Sequence, residues 1–175
     1  MGTNHMGRQS IRFPQPPVVR SFASVAGKKE REGPLGDQFT ATVQDTTFGE
    51  KSWERAERRM QQMTLELALE KAGLTDADLD AAFAGDLLNQ CIGSSFSLRN
   101  RGVPTLGLYG ACSTMAESLL LAAMSVSGGF ARTALAMTSS HFASSERQYR
   151  FPLGYGGQRT PTSQWTVTGA GAVLL

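Results

Sequence analysis

At 175 residues, 41% of them hydrophobic, the chain is long enough to bury one substantial core. Seventeen basic and fifteen acidic residues leave a net charge of +2, and no Lys or Arg run is long enough to mark a nucleic-acid footprint, so no nucleic-acid partner is expected. Apolar stretches such as Leu119 to Val126 fall far short of the roughly 20 residues that span a bilayer. Cys91 and Cys112 make no disulfide framework and have no His or Cys partners at metal spacing, which points to a reducing compartment and to no metal site.

The first ten residues are polar and no apolar signal core follows, so synthesis without a secretory leader is expected. His5-Met6 reads as a cloning junction, residues 1–12 as a tag remnant and flexible arm, and 13–175 as the domain. Val18 to Ala26 is rich in β-branched and small residues and predicts a strand, followed by a charged, exposed loop from Gly27 to Gly36. Ser52 is a plausible N-cap for an amphipathic helix in which Trp53, Ala56, Met60, Met63 and Leu67 recur at helical spacing, and Gly73 stands where a left-handed C-terminal glycine belongs.

Ala81 to Gly85 predicts a buried strand that hands Asp86 to its carboxyl end. A helix over Ser94 to Asn100 and a strand over Thr105 to Tyr109 follow. The next helix, Ser113 to Val126, is apolar nearly all round, which predicts burial on most sides. Thr133 to Thr138 and Gln164 to Leu175 complete the strands, and the chain stops inside apolar sequence, as a truncated chain would. Alternating strands and helices predict a mostly parallel sheet covered on both faces, with ligands beyond the carboxyl ends of the strands.

Asp86, Cys112 and His141 all follow predicted strands. Gly110-Ala111-Cys112-Ser113-Thr114 joins a strand to a helix, so Cys112 stands at a helix amino terminus where N–H groups favour a thiolate; a small buried thiol is the alternative. His141, after Thr138-Ser139-Ser140, either approaches Cys112 or bonds loop backbone. Asp86 is a ligand contact or an N-cap for the segment after it. Arg147 and Arg150 place guanidinium groups in the same loop region, suited to a bidentate carboxylate contact or to solvation. Gly154-Tyr155-Gly156-Gly157 and Gly169-Ala170-Gly171 lack the strand-to-helix setting of a phosphate loop, so no nucleotide cofactor is indicated.

Glu32-Gly33-Pro34-Leu35-Gly36, Lys51-Ser52-Trp53-Glu54, Ala84-Gly85-Asp86-Leu87-Leu88-Asn89-Gln90, Gly110-Ala111-Cys112-Ser113-Thr114, Thr138-Ser139-Ser140-His141 and Tyr155-Gly156-Gly157-Gln158 together resemble the stage V sporulation protein AD family of the thiolase-like superfamily. The resemblance runs from about Phe13 to the last residue. It implies an α/β, thiolase-like half, a five-stranded mixed sheet with helices on both faces, in a two-half fold that dimerises largely through the first half. It further implies a protein that binds dipicolinic acid and acts in its uptake, with calcium, during sporulation and its release at germination. Such a protein works peripherally at the spore inner membrane beside other proteins of the stage V sporulation A operon.

Carried over, Asp86 and Cys112 fall on ligand-pocket positions, with His141 and Arg147 placed near them. The condensing enzymes of the fold complete their catalytic site from the second half, so no catalytic residue and no cofactor is expected in this chain. An acyl-transferring condensing enzyme using Cys112 as nucleophile is the alternative, and a purely structural scaffold is a third reading.

Overall fold

The computed structural model describes residues 4–149, 161–162 and 164–175. Two short strands, β1 (His5–Met6) and β2 (Ser10–Ile11), pair antiparallel within the segment read as an arm. The remaining elements are β3 (Ser21–Ala26), α1 (Lys28–Arg31), β4 (Ala41–Thr42), α2 (Trp53–Ala72), β5 (Ala81–Gly85), α3 (Ile92–Leu98), β6 (Thr105–Leu108), α4 (Thr114–Ser127), β7 (Ala134–Ser140), α5 (Phe142–Tyr149) and β8 (Gly169–Leu174). They build a six-stranded sheet in the order β4-β3-β8-β7-β5-β6.

The five predicted strands are all present, and the sixth is the two-residue β4, which pairs parallel with the end of β3. The sheet is mixed: β5 runs parallel to β6 and β7, whereas β8 runs antiparallel to both of its neighbours, β3 and β7. The segment over Lys28–Arg31, expected as loop, closes one helical turn, and residues 142–149, also expected as loop, form α5.

α2 begins and ends as its sequence dictates. Ser52 is extended and its hydroxyl accepts from the Arg55 N–H, while Gly73 takes φ 65° and the Leu74 N–H returns to the Leu69 carbonyl at 3.0 Å. Its buried stripe differs from the predicted one. Trp53 is exposed, whereas Glu57, Gln61 and Thr64 are buried beside Ala56, Met60, Leu65 and Ala68.

Leu65, Ala68 and Leu69 pack on Ala23, Ala82, Ala84, Leu135, Met137, Ala172 and Leu174, the face where small strand residues let the helix approach closely. Each fully buried Leu or Met contributes about 1.5–3 kcal/mol relative to exposure. α4 covers the opposite face over β5 and β7, where Ala122 meets Phe83, Ala134 and Ala136. It is not buried on most sides: only Thr114, Ser118 and Ala122 are, and Leu120 and Met124 lie exposed. The apolar far side of α4 is left uncovered among the described residues, because a single sheet face can bury only one stripe of a helix.

Candidate functional site

The carboxyl ends of β5 and β7 meet the start of β8, with Ser140 paired to Gly169 across the ladder. A cleft of about 620 Å³ opens there, lined by Leu87, Ala111, Cys112, Met115, Thr138, Ser140 and Gly171 among others. Cys112 is exposed on the turn Ala111–Ser113, which runs directly into α4. Ala111 holds φ 49°, a left-handed conformation that costs a non-glycine residue about 1–2 kcal/mol. The turn is pinned by the Ser113 hydroxyl donating to the Gly110 carbonyl at 2.8 Å and by the Gly110 N–H donating to Thr114 Oγ1 at 3.2 Å. The sequence expectation of a cysteine at a helix amino terminus is met by this geometry.

Asp86 is buried and turned away from the cleft lining. Its Oδ2 accepts from the N–H groups of Leu88 (3.1 Å) and Gly93 (3.2 Å), and its Oδ1 from the Ser94 N–H (2.7 Å) and hydroxyl. It therefore satisfies the orphan N–H groups at the start of α3 and fixes the Leu87–Cys91 link, where Gln90 and Cys91 both have positive φ. Its partners are the ones an N-cap would take.

His141 is also buried. Its Nε2 lies 2.7 Å from the Thr46 carbonyl, and its Nδ1 accepts the Ala143 N–H at 3.2 Å, so the ring is held as the neutral Nε2–H tautomer against the edge of Phe48. Burial lowers its pKa below the usual 6.5, against the opposing pull of the Thr46 carbonyl and Glu30. Arg147 lies on α5, ion-paired with Glu54 and over the Trp53 ring at 5.8 Å. It borders a separate groove with Leu88, Asn89 and Ile92. Of the four candidate residues, the structure brings Cys112 alone to the cleft wall. Arg150 and the Tyr155-Gly156-Gly157-Gln158 segment lie outside the described residues.

Beneath the strand ends lies a polar network that sequence reasoning missed. Glu57 of α2 is fully buried, its Oε1 accepting from Ser139 (2.8 Å) and its Oε2 from Ser144 (2.9 Å). Gln61 donates to Ser139 at 2.7 Å and accepts from Ser97 at 2.6 Å, and a 3.4 Å bond to Ser94 leads on to Asp86. Desolvation, with the Asp86 charge as a second cause, pushes the Glu57 pKa up to about 7, and the two serine bonds act in the opposite direction. The network ties β7, α5 and α3 together from the side of the sheet facing α2.

The model of the family described as Stage V sporulation protein AD (SpoVAD) matches residues 7–175. The chain belongs to the stage V sporulation protein AD family. It is 46% identical over 169 residues to Stage V sporulation protein AD of Bacillus subtilis (strain 168), covering 97% of this chain and 50% of that protein. The chain thus spans about half the length of the curated relative it matches.

Solved structures similar to this chain include the 3-oxoacyl-(acyl carrier protein) synthase III of Xanthomonas oryzae (TM-score 0.58, 14% identity, 91% of this chain and 56% of that one). The priming β-ketosynthase of the R1128 polyketide pathway is another (TM-score 0.56, 16% identity, 95% and 52%). OleA of Xanthomonas campestris is a third (TM-score 0.58, 14% identity, 89% and 54%). At these identities the likeness establishes the thiolase-like fold and nothing of the chemistry. Among the described residues of this family member, no group of three or more His, Cys, Asp or Glu side chains is placed to hold a metal ion, and no helix is long and apolar enough to cross a membrane.

Proposed function

We propose that this chain forms the cleft-bearing half of a spore protein that holds dipicolinic acid during its uptake with calcium and its release at germination. Family membership supplies the sporulation role. The observation that carries the binding reading over the enzymatic one is the state of His141. The sequence has two histidines, His5 and His141, and both nitrogens of the second are engaged by Thr46 and Ala143. Within this chain no imidazole is placed to activate Cys112, whereas acyl chemistry needs a base and oxyanion donors beside the thiol.

In this reading Cys112 and the N–H groups that begin α4 contact the ligand. Asp86 acts indirectly by fixing the Leu87–Cys91 wall, which avoids setting a bare carboxylate against an anionic ligand. His141 serves by holding the segment after β7. Arg147, already paired with Glu54, is expected to leave affinity unchanged when replaced by Ala, whereas Asp86→Asn is expected to weaken binding several-fold by loosening the wall.

The acyl-transfer alternative is tested by intact mass after incubation with acetyl and malonyl thioesters of coenzyme A. No covalent adduct is expected. An acyl group on Cys112 that disappears in Cys112→Ala would replace the binding reading with a condensing one.

We also propose a homodimer through β6, working peripherally at the spore inner membrane beside the other stage V sporulation A-operon proteins. β6 is the last strand of the sheet, with one side of its backbone unpaired among the described residues, and Leu106 is 49% exposed. Light scattering at micromolar concentration is expected to show a dimer or larger species, and Leu106→Lys to shift it toward monomer. A monodisperse wild-type monomer would remove the dimer.

A further inference from the structure

The face formed by α2, α3 and the start of α5 carries two hollows that share no residue with the Cys112 cleft. One, of about 330 Å³, lies between the first turns of α2 and the outer side of α3 and is lined by Ser52, Glu54, Arg55, Arg58, Ile92 and Phe96. The other, of about 300 Å³, runs from Leu88 and Asn89 to Arg147 and Gln148 on α5. Glu54 and Ile92 line both, so the two join into one groove.

The helices set its apolar floor. α3 buries Gly93, Ser94, Ser97 and Leu98, which leaves Ile92 and Phe96, one turn apart, exposed on the other stripe. Trp53, at the start of α2, is exposed as well. The charge around this floor has one sign. Glu50 is paired with Arg58, Glu54 with Arg147, and Glu66 with Arg59 and Arg101, so the neighbouring carboxylates are already held. Arg55 and Arg99 are exposed and have no carboxylate within ion-pair distance among the described residues. The Arg99 guanidinium lies 5.8 Å from the Phe96 ring centroid, and Arg58, bonded to Glu50 through Nη2 alone, keeps 33% of its side chain exposed.

We propose that this groove docks an acidic, amphipathic segment of a partner polypeptide, its apolar side chains entering the hollows at Phe96 and Ile92 and its carboxylates meeting Arg55, Arg58 and Arg99. Exposed aromatic and branched side chains framed by arginines have the composition of the centre of a protein–protein contact, and the guanidinium fork matches a carboxylate. Two hollows joined along a helix suit anchors one turn apart on a docked helix. A second copy of this chain fits less well, because a two-fold contact through this face would set Arg55 and Arg99 against arginines of their own kind. A flat lipid surface would leave the hollows unfilled. The proposal does not depend on what occupies the Cys112 cleft.

The probe is a short fluorescein-labelled peptide carrying Leu and Phe one helical turn apart among Glu residues, titrated with the chain and followed by anisotropy. Saturable binding is expected. It should weaken about tenfold or more in Arg55→Glu with Arg99→Glu, as loss of charge-assisted bonds does, and several-fold in Phe96→Ala. Arg132→Glu, at the opposite end of β7, controls for bulk charge and should leave affinity unchanged, as should Cys112→Ala. The replaced groove residues are exposed, so the fold should tolerate the changes, and unaltered circular dichroism spectra check this. The peptide with Gln in place of Glu, and the one with Ala in place of Leu and Phe, should each bind about tenfold more weakly. No saturable binding, affinity indifferent to Arg55 and Arg99, or equal affinity for either control peptide would overturn the proposal. Two further results would overturn it by giving the face another occupant. Phosphatidylglycerol vesicles bound through Arg55 and Arg99 while the peptide is not would assign it to a membrane surface. A dimer broken by Phe96→Ala in a chain that ignores the peptide would assign it to a second copy.

Discussion

Glu57→Gln is expected to flatten a pH dependence of stability that the wild-type chain carries between pH 4.5 and 7. With its pKa pushed from 4.5 to about 7 by burial and by Asp86, Glu57 holds a proton in the folded chain that the unfolded chain has already released over that window. Its contribution is fully present below pH 4.5, is lost as pH rises to 7, and stays lost above. A shift of this size corresponds to roughly 3 kcal/mol, because each pKa unit is worth about 1.4 kcal/mol.

The amide can keep the geometry, with Oε1 facing Ser139 and Nε2 facing Ser144, whose hydroxyl also reaches the His141 carbonyl at 3.1 Å. His141, its pKa lowered by burial, contributes the opposite slope: stability is lost as pH falls below its usual 6.5. The difference between the two chains therefore isolates Glu57. Urea unfolding at pH 5, 6, 7 and 8 should show the variant gaining on the wild type as pH rises. Parallel curves at all four values would mean that Glu57 is ionised throughout.

Gly85→Ala is expected to be strongly destabilising. Gly85 ends β5 beside the turn that carries Cys112. A Cβ there would press on the Leu108 carbonyl oxygen closer than real side chains approach and would meet Thr114 Cγ2 at 2.5 Å. Neither neighbour can yield cheaply: Leu108 is ladder backbone, and Thr114 is buried with its hydroxyl bonded to the Ala111 carbonyl at 2.9 Å. Overpacking of this kind costs about 1–3 kcal/mol or more, and the displaced atoms are those that seat Cys112. Thermal unfolding should fall by several degrees, and the rate at which iodoacetamide modifies Cys112 should change with it. An unchanged midpoint with unchanged thiol reactivity would show that β5 and β6 separate without strain.

The parts of the fold that local chemistry specifies were legible in the sequence. Ser52 and Gly73 bracket α2 because capping involves only the adjacent turn, and Cys112 could be set at a helix start because Gly110 and Thr114 mark the turn within five residues. What escaped depends on partners far along the chain. Glu57 and Gln61 look like the solvent side of an amphipathic helix, yet they bond Ser139 across 82 and 78 residues, and the exposed Trp53 was read as core in their place.

α5 was hidden for the same reason. Its Ser144-Ser145 start is a poor helix signal and is held by Glu57, 87 residues away. The direction of β8 was equally invisible, because an apolar strand carries no mark of whether its neighbours run with it or against it. Asp86 could be narrowed by residue type to a cap or a ligand, and only the positions of Gly93 and Ser94 show where its oxygens go.

We propose that this half of the fold retains a ligand cleft and binds a small aromatic dicarboxylate without acyl chemistry. Calorimetric titration of dipicolinic acid into the chain, beside Cys112→Ala, tests it most directly. Saturable binding at the Cys112 cleft, weakened modestly in Cys112→Ala through lost packing, is the expected result. Absence of saturable heat from a folded parent chain, or binding indifferent to Cys112, would contradict it.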